Sequence, residues 1–239
     1  MTSSTYDGRR AAILAIDCST TRVVVASGSP AGRLDGLTTW TAGYRHGETL
    51  LPTIERFLGE RDIRRSRLAG IVVGTGPGTF TGLRVGLATA KGLAHGMGLP
   101  LVGISTAEAL LVAATAAGVG MEGAGPGVGL VLLLPAGAAD RIVVRQGRPP
   151  ALLPAGMEPD LSTGESLVAV DLDGRADPRA SERGEVARAG LGAALIALGA
   201  ARLAAGDVDD LAGLVPEYVT LPRGVQADGG EVSWSHDRR

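Results

Sequence analysis

The chain has 239 residues, 45% of them hydrophobic and 20% charged, so it can bury a substantial core as one unit of two subdomains or as two small domains. A formal net charge of −2 supplies no overall basic field for nucleic acid. The single cysteine, Cys18, excludes an internal disulfide framework, a zinc knuckle and a CxxC redox site.

Residues 11–16 are a short apolar run, Asp17-Cys18-Ser19-Thr20-Thr21 reads as a polar turn, and 23–26 is mostly β-branched. A second turn at 28–32 precedes the run 34–41, so two successive hairpins are expected. Leu50, Leu51, Ile54, Phe57 and Leu58 then recur at helical spacing, and the helix is expected to start near Thr49. Pro52 is tolerated there because the first turn has no intrahelical N–H bond to lose. A strand over 69–73, a helix over 80–95, a strand over 101–104 and a helix over 106–116 follow. Residues 118–129 hold six glycines and a proline and form the candidate linker. Beyond it come strands over 128–134, 141–145 and 167–170, an irregular stretch over 149–164, and an alanine-rich helix over 186–205. The pattern is that of a mixed α/β protein. It divides the chain into an N-terminal part, 11–117, and a smaller part, 128–223, with disordered tails expected at 1–10 and 224–239. The polar first ten residues lack the apolar segment of a signal peptide, and the longest apolar stretch, 127–139, is broken by glycine and proline. The expectation is a cytoplasmic protein.

The most informative stretch runs from Gly74 to Gly86, between an expected strand and an expected helix. Strand, glycine turn and helix start in that order offer free N–H groups and a positive dipole end to an anion. The spacing is neither a Walker loop nor GxGxxG. Gly82, Gly86, Ala90 and Ala94 recur every four residues and leave one helix face nearly without bulk, open to close approach by another helix or by this chain itself. Thr79 is placed to cap that helix with its hydroxyl. Phe80 reads as a buried or interfacial anchor, and Arg84 and Lys91, seven apart, can share a face toward an acidic partner or a nucleotide.

The run GPGTFTGLRVG at 76–86, with AKGLA at 90–94 and PLVGIS at 100–105, resembles the TsaB (YeaZ) family over about 13–111. The closing segment 216–223, with Pro216 and Tyr218, resembles that family's P-x-Y end, and Tyr218 is expected to pack back on the core. The resemblance implies an α/β fold of the actin-like ATPase type (ASKHA, ribonuclease-H-like) with two subdomains, the second smaller and divergent. It implies a non-catalytic scaffold that activates a paralogous TsaD-like catalytic subunit in forming N6-threonylcarbamoyladenosine at position 37 of ANN-decoding tRNAs. A TsaE-like ATPase would be the third component. The tRNA would be met only through the complex, and the free chain could pair with itself. The two N-terminal helices would make the contact, through Leu50, Ile54, Phe57, Thr79, Phe80, Gly82, Leu83, Arg84, Gly86, Ala90 and Lys91.

Two other readings compete. Asp17, in a turn that resembles the first phosphate loop of actin-like ATPases, could join Ser19, Thr20, Gly76 and Gly78 in a weak phosphate contact, as in a nucleotide-dependent ATPase or kinase. The plain alternative is a turn aspartate bonding its own backbone. A second phosphate loop should follow 130–134, yet 135–139 offers no carboxylate or hydroxyl before Asp140. Phosphoryl transfer needs preorganised groups on both sides. A metallopeptidase would need the paired histidines of the catalytic paralogues, but none of His46, His95 and His236 has a histidine four residues away. His46 and Glu48 resemble the family's His-Ser-Glu, and Glu48 is expected to complement a helix dipole. No catalytic residue, resident metal or cofactor is assigned, and ATP or ADP is expected, if anywhere, at the partner interface.

Overall fold

The computed structural model describes residues 11–41, 43, 45–120 and 129–219, with His46 described by its backbone alone. Both expected tails, His236 and most of the candidate linker lie outside the described residues. The first three strands, β1 (Ala12–Asp17), β2 (Arg22–Gly28) and β3 (Leu34–Thr41), form the two expected hairpins. After α1 (His46–Glu60), strand β4 (Leu68–Gly76) returns parallel to β1, and α2 (Phe80–Met97) leads to β5 (Leu101–Ser105), parallel to β4. The resulting sheet has the order β3-β2-β1-β4-β5. Helix α3 (Thr106–Ala116) leaves it.

A second sheet, ordered β8-β7-β6-β9, is built from β6 (Leu130–Ala136), β7 (Asp140–Arg145), β8 (Ala151–Leu153) and β9 (Ser166–Ala169). The stretch 149–164, expected to be irregular throughout, contains β8, which adds to the edge of β7, and the rest of it is held by arginines. Arg141, buried on β7, donates to the Met157 carbonyl and to Glu158 (3.1 Å), and Arg145 pairs with Glu165 at 2.9 Å.

Alternation in the strands sorts the core into layers. Leu14, Ile16, Val23, Val25, Ile71 and Val73 point to one face of the first sheet, where Leu50, Ile54 and Phe57 of α1 and Leu87, Ala90 and Ala94 of α2 cover them. Ile13, Ala15, Val24, Ala26 and Val72 point to the other face. There they share one cluster with α3, with α4 (Pro178–Ala204), and with Leu132, Leu134, Ile142, Val144 and Val168 of the second sheet. The pair α3 and α4 is therefore packed between the sheets, and the C-terminal part of the sequence supplies a helix to the core of the N-terminal part. The first sheet and its helices have the order expected of the ribonuclease-H-like half of actin-like proteins.

Two helix starts differ from expectation. Helix α1 begins at His46, ahead of Thr49. Helix α4 begins at Pro178, well before 186, because the Asp177 side chain accepts the N–H of Arg179 (2.9 Å) and Ala180 (3.3 Å) and proline suits the first position. Among the described residues α4 is the one helix long and apolar enough to cross a membrane, but Leu191, Leu195, Ile196 and Ala200 on it are buried in the cluster shared with the two sheets.

Candidate functional site

The sequence pointed to two places: the loops at the ends of β1 and β4, and the paired helices α1 and α2. Asp17 ends β1 with no exposed surface. Its Oδ1 accepts the Ser19 N–H (2.9 Å) and hydroxyl (2.7 Å), and its Oδ2 accepts the Thr106 hydroxyl at 2.5 Å. Burial raises its pKa above the ordinary 3.8; the Thr106 and Ser19 hydrogen bonds oppose that shift, and the charge of Asp171 adds to it. The neighbouring Cys18 thiol is pushed up by the same burial, so it is held as a neutral, unreactive group.

The glycine turn folds onto this loop and closes it. Thr79 N–H donates to the Ser19 carbonyl at 2.7 Å, and a side chain at Gly78 would collide with that same carbonyl. Ser19 and Thr20 are buried, and the Thr20 hydroxyl donates to the Arg22 carbonyl at 2.7 Å. Gly76 sits at φ +103°, where glycine is needed, and its N–H donates to Thr106 Oγ1 at 3.2 Å. Of the five residues expected to touch phosphate, Asp17, Ser19, Thr20 and Gly76 direct the groups named above to partners within the chain, and Gly78 packs against the Ser19 carbonyl. The turn aspartate bonding its own backbone is what the structure contains.

The helix surface also needs correction. Leu50, Ile54, Phe57, Gly82, Leu83, Gly86 and Ala90 were expected to meet a partner, but all seven are buried within the chain. They form the inward faces of α1 and α2. The small-residue stripe permits close approach, as its spacing implied, but the neighbour is the loop after β1. A Cβ on Gly82 would strike the Cys18 carbonyl oxygen, and one on Gly86 would lie 3.2 Å from Cys18 Cβ and Sγ. Thr79 occupies the cap position in extended conformation but makes no side-chain cap bond, because its hydroxyl turns to the Cys18 carbonyl (3.3 Å).

What the two helices present outward is a different set. On α1, Gly47, Leu51, Glu55 and Gly59 are exposed at intervals of four, and on α2, Arg84, Ala88, Gly92 and Gly96 repeat that spacing. A Cβ on Gly92 or Gly96 would meet nothing within 4 Å. Phe80 is 37% exposed, so it is no core anchor. Arg84 lies over its ring, 3.7 Å from the centroid, and Lys91 is half-buried. Tyr218 does not pack into the core: it is 41% exposed, its ring lies 5.4 Å from that of Phe80, and its hydroxyl accepts from Arg84 Nε at 3.1 Å. The final described segment is tied down instead by Glu217, which accepts from the Thr75 (2.7 Å) and Ser105 (3.1 Å) hydroxyls. Glu48 stands in the first turn of α1, as expected, and accepts from Arg45 at 2.8 Å.

Sequence reasoning missed Asp171 and Arg188, a buried ion pair at 2.5 Å between the end of β9 and α4. The signal was present: Arg188 is a lone charge between alanines, with a largely apolar run after it.

Residues 34–149 match the family model described as TsaD, tRNA N6-adenosine threonylcarbamoyltransferase. The fold is that of YeaZ from Pseudomonas aeruginosa, with a TM-score of 0.64 over 87% of this chain and 99% of that one, at 21% sequence identity. The tRNA threonylcarbamoyladenosine biosynthesis protein TsaB of Haemophilus influenzae is 39% identical over 69 residues, which is 29% of each chain. This chain is TsaB/YeaZ-like. A tRNA N6-adenosine threonylcarbamoyltransferase of Paracoccus denitrificans is 40% identical over 104 residues, 43% of this chain and 29% of that protein. The chain spans between 21% and 31% of the length of the curated relatives it matches first. Among the described residues no cluster of His, Cys, Asp and Glu could hold a metal ion.

Proposed function

We propose that this TsaB/YeaZ-like chain is a non-catalytic subunit of the machinery that forms N6-threonylcarbamoyladenosine at position 37 of ANN-decoding tRNAs. It docks on a TsaD-like catalytic paralogue through the outward face of α1 and α2 and orders that partner. Catalysis and metal belong to the partner, a TsaE-like ATPase joins the assembly, and tRNA is met only through it. Any ATP or ADP sits at the partner interface.

The observation that carries this reading is a YeaZ-type fold whose loop site is closed by its own backbone, beside two helices with an exposed face of small and apolar residues. Leu51, Ala88, Gly92 and Gly96 let a second helix pair approach closely, and Phe80 and Arg84 stand at one end as aromatic and cationic anchors. The same face would pair two copies of this chain when the partner is absent.

The test is light scattering on the chain mixed with the TsaD-like paralogue of its own organism, followed by reconstituted tRNA modification. Leu51→Glu and Ala88→Glu should each weaken the complex at least tenfold while unfolding within about 0.5 kcal/mol of the parent, since both positions are exposed. Full binding by both variants would remove α1 and α2 as the interface. Modification activity that does not need this chain would remove the function.

A further inference from the structure

Three segments far apart in sequence meet at Asp171, just past β9. Its Oδ2 accepts the Thr21 backbone N–H at 2.6 Å, and its Oδ1 accepts the Thr21 hydroxyl at 2.6 Å and Arg188 Nη1 at 2.5 Å. Arg188 Nη1 also lies 3.3 Å from Thr21 Oγ1, and Nη2 donates to Glu185. A backbone N–H, a hydroxyl and a guanidinium converging on two oxygens make the contact set that proteins offer to a bound oxyanion. Here the anion is the chain's own side chain.

Two further observations set this apart from an ordinary ion pair. Asp171 holds its carboxylate in place from a left-handed backbone, φ +58°, which few residues other than glycine, asparagine and aspartate adopt. Arg188 Nε is buried with no acceptor, so the guanidinium keeps a donor that its tethered partner does not reach. The cluster is not sealed: Asp171 and Arg188 are almost wholly buried, but Thr21 is exposed and gives a route from solvent. The carboxylates nearby are Glu185, which takes Nη2, and the buried Asp17.

We propose that Thr21 and Arg188 form a small oxyanion-binding site that the Asp171 carboxylate occupies as a built-in ligand. The site stays shut to phosphate or carboxylate from solution for as long as that side chain is present. The assignment is independent of the partner reading.

The test uses Asp171→Gly, because glycine suits the backbone, with Asp171→Asn measured alongside because asparagine tolerates it too. Thermal unfolding is followed at fixed ionic strength against formate and against inorganic phosphate. Each variant should gain several degrees in Tm, saturably, with at least one of the two anions, and Asp171→Gly should gain more than Asp171→Asn. The parent chain should not respond, and adding Arg188→Met should abolish the gain. If neither variant responds to either anion, or the parent responds equally, the site does not exist. Should Asp171→Gly fail to fold in every buffer, the response of Asp171→Asn decides.

Discussion

Asp17 illustrates how burial alters a residue's role. In a solvated loop a carboxylate with three donors around it would stay ionised and could orient a ligand. Here desolvation outweighs those donors and pushes the group toward its neutral form, with the Asp171 charge reinforcing the shift. The sign for stability follows. Between 3.8 and the raised folded value, the native chain binds a proton that the unfolded chain has released. Stability from this group is therefore complete below 3.8 and is lost as pH rises through the folded value, by about 1.4 kcal/mol for each pH unit between the two. Asp17→Asn carries no such slope. Urea unfolding from pH 4 to 8 should show the variant gaining on the parent as pH rises, whereas a constant difference would mean that Asp17 is ionised throughout. Glu165 works in the opposite direction. Its hydrogen bond and ion pair with Arg145 lower its pKa, so its contribution is present at neutral pH and lost on acidification.

At the scale of an element, α2 carries two small-residue stripes, and the sequence alone does not say which one faces inward. The helix has apolar residues nearly all round, so periodicity gives its existence but not its orientation. The deciding constraint is non-local: the loop after β1 lies over Gly82 and Gly86, a contact across more than sixty residues, represented by the Thr79–Cys18 bond. This explains why the helices themselves were legible and their outward-facing residues were not. The same holds for Arg188, whose partners Thr21 and Asp171 come from two other segments. Capping, by contrast, is legible in the sequence at Asp177 and Pro178, whereas the alanine-rich run alone places the start of α4 only at 186. A glycine-to-alanine series along α2 tests the assignment of faces. Gly92→Ala meets open space and should stabilise by about 0.5–1 kcal/mol through backbone entropy. Gly86→Ala, at 3.2 Å from the Cys18 side chain, should be near neutral or mildly destabilising. Gly82→Ala drives a methyl into backbone and should cost about 1–3 kcal/mol or more, read as a fall in the urea midpoint. An equal effect at all three positions would mean that the loop does not pack on this face.

Across the whole molecule, the order of segments along the chain does not match the layers they build. Residues 11–117 and 128–223 read as two parts because their patterns differ in strength. Yet α4 lies against the first sheet so closely that side chains at Gly192 and Gly199 would meet Leu37 and Val72. Beyond α4 the chain returns to β5, where Asp209 N–H donates to the Leu101 carbonyl (2.9 Å) and its carboxylate accepts the Gly103 N–H (2.8 Å), covering that sheet edge. One cluster thus joins both sheets through α3 and α4, and damage on one side should be felt on the other. Leu132, fully buried on β6, is a sensitive place to ask. Leu132→Ala should destabilise by about 2–5 kcal/mol through lost burial and a cavity. Trp40 on β3, whose indole donates to Thr49 at 3.3 Å, reports the first sheet once Trp234 is replaced by phenylalanine. In that background, Trp40 fluorescence and far-ultraviolet circular dichroism should give one coincident urea transition that shifts as a whole in Leu132→Ala. If the Trp40 transition stays in place while the circular dichroism shifts or splits, the sheets unfold as separate units and the shared core does not couple them.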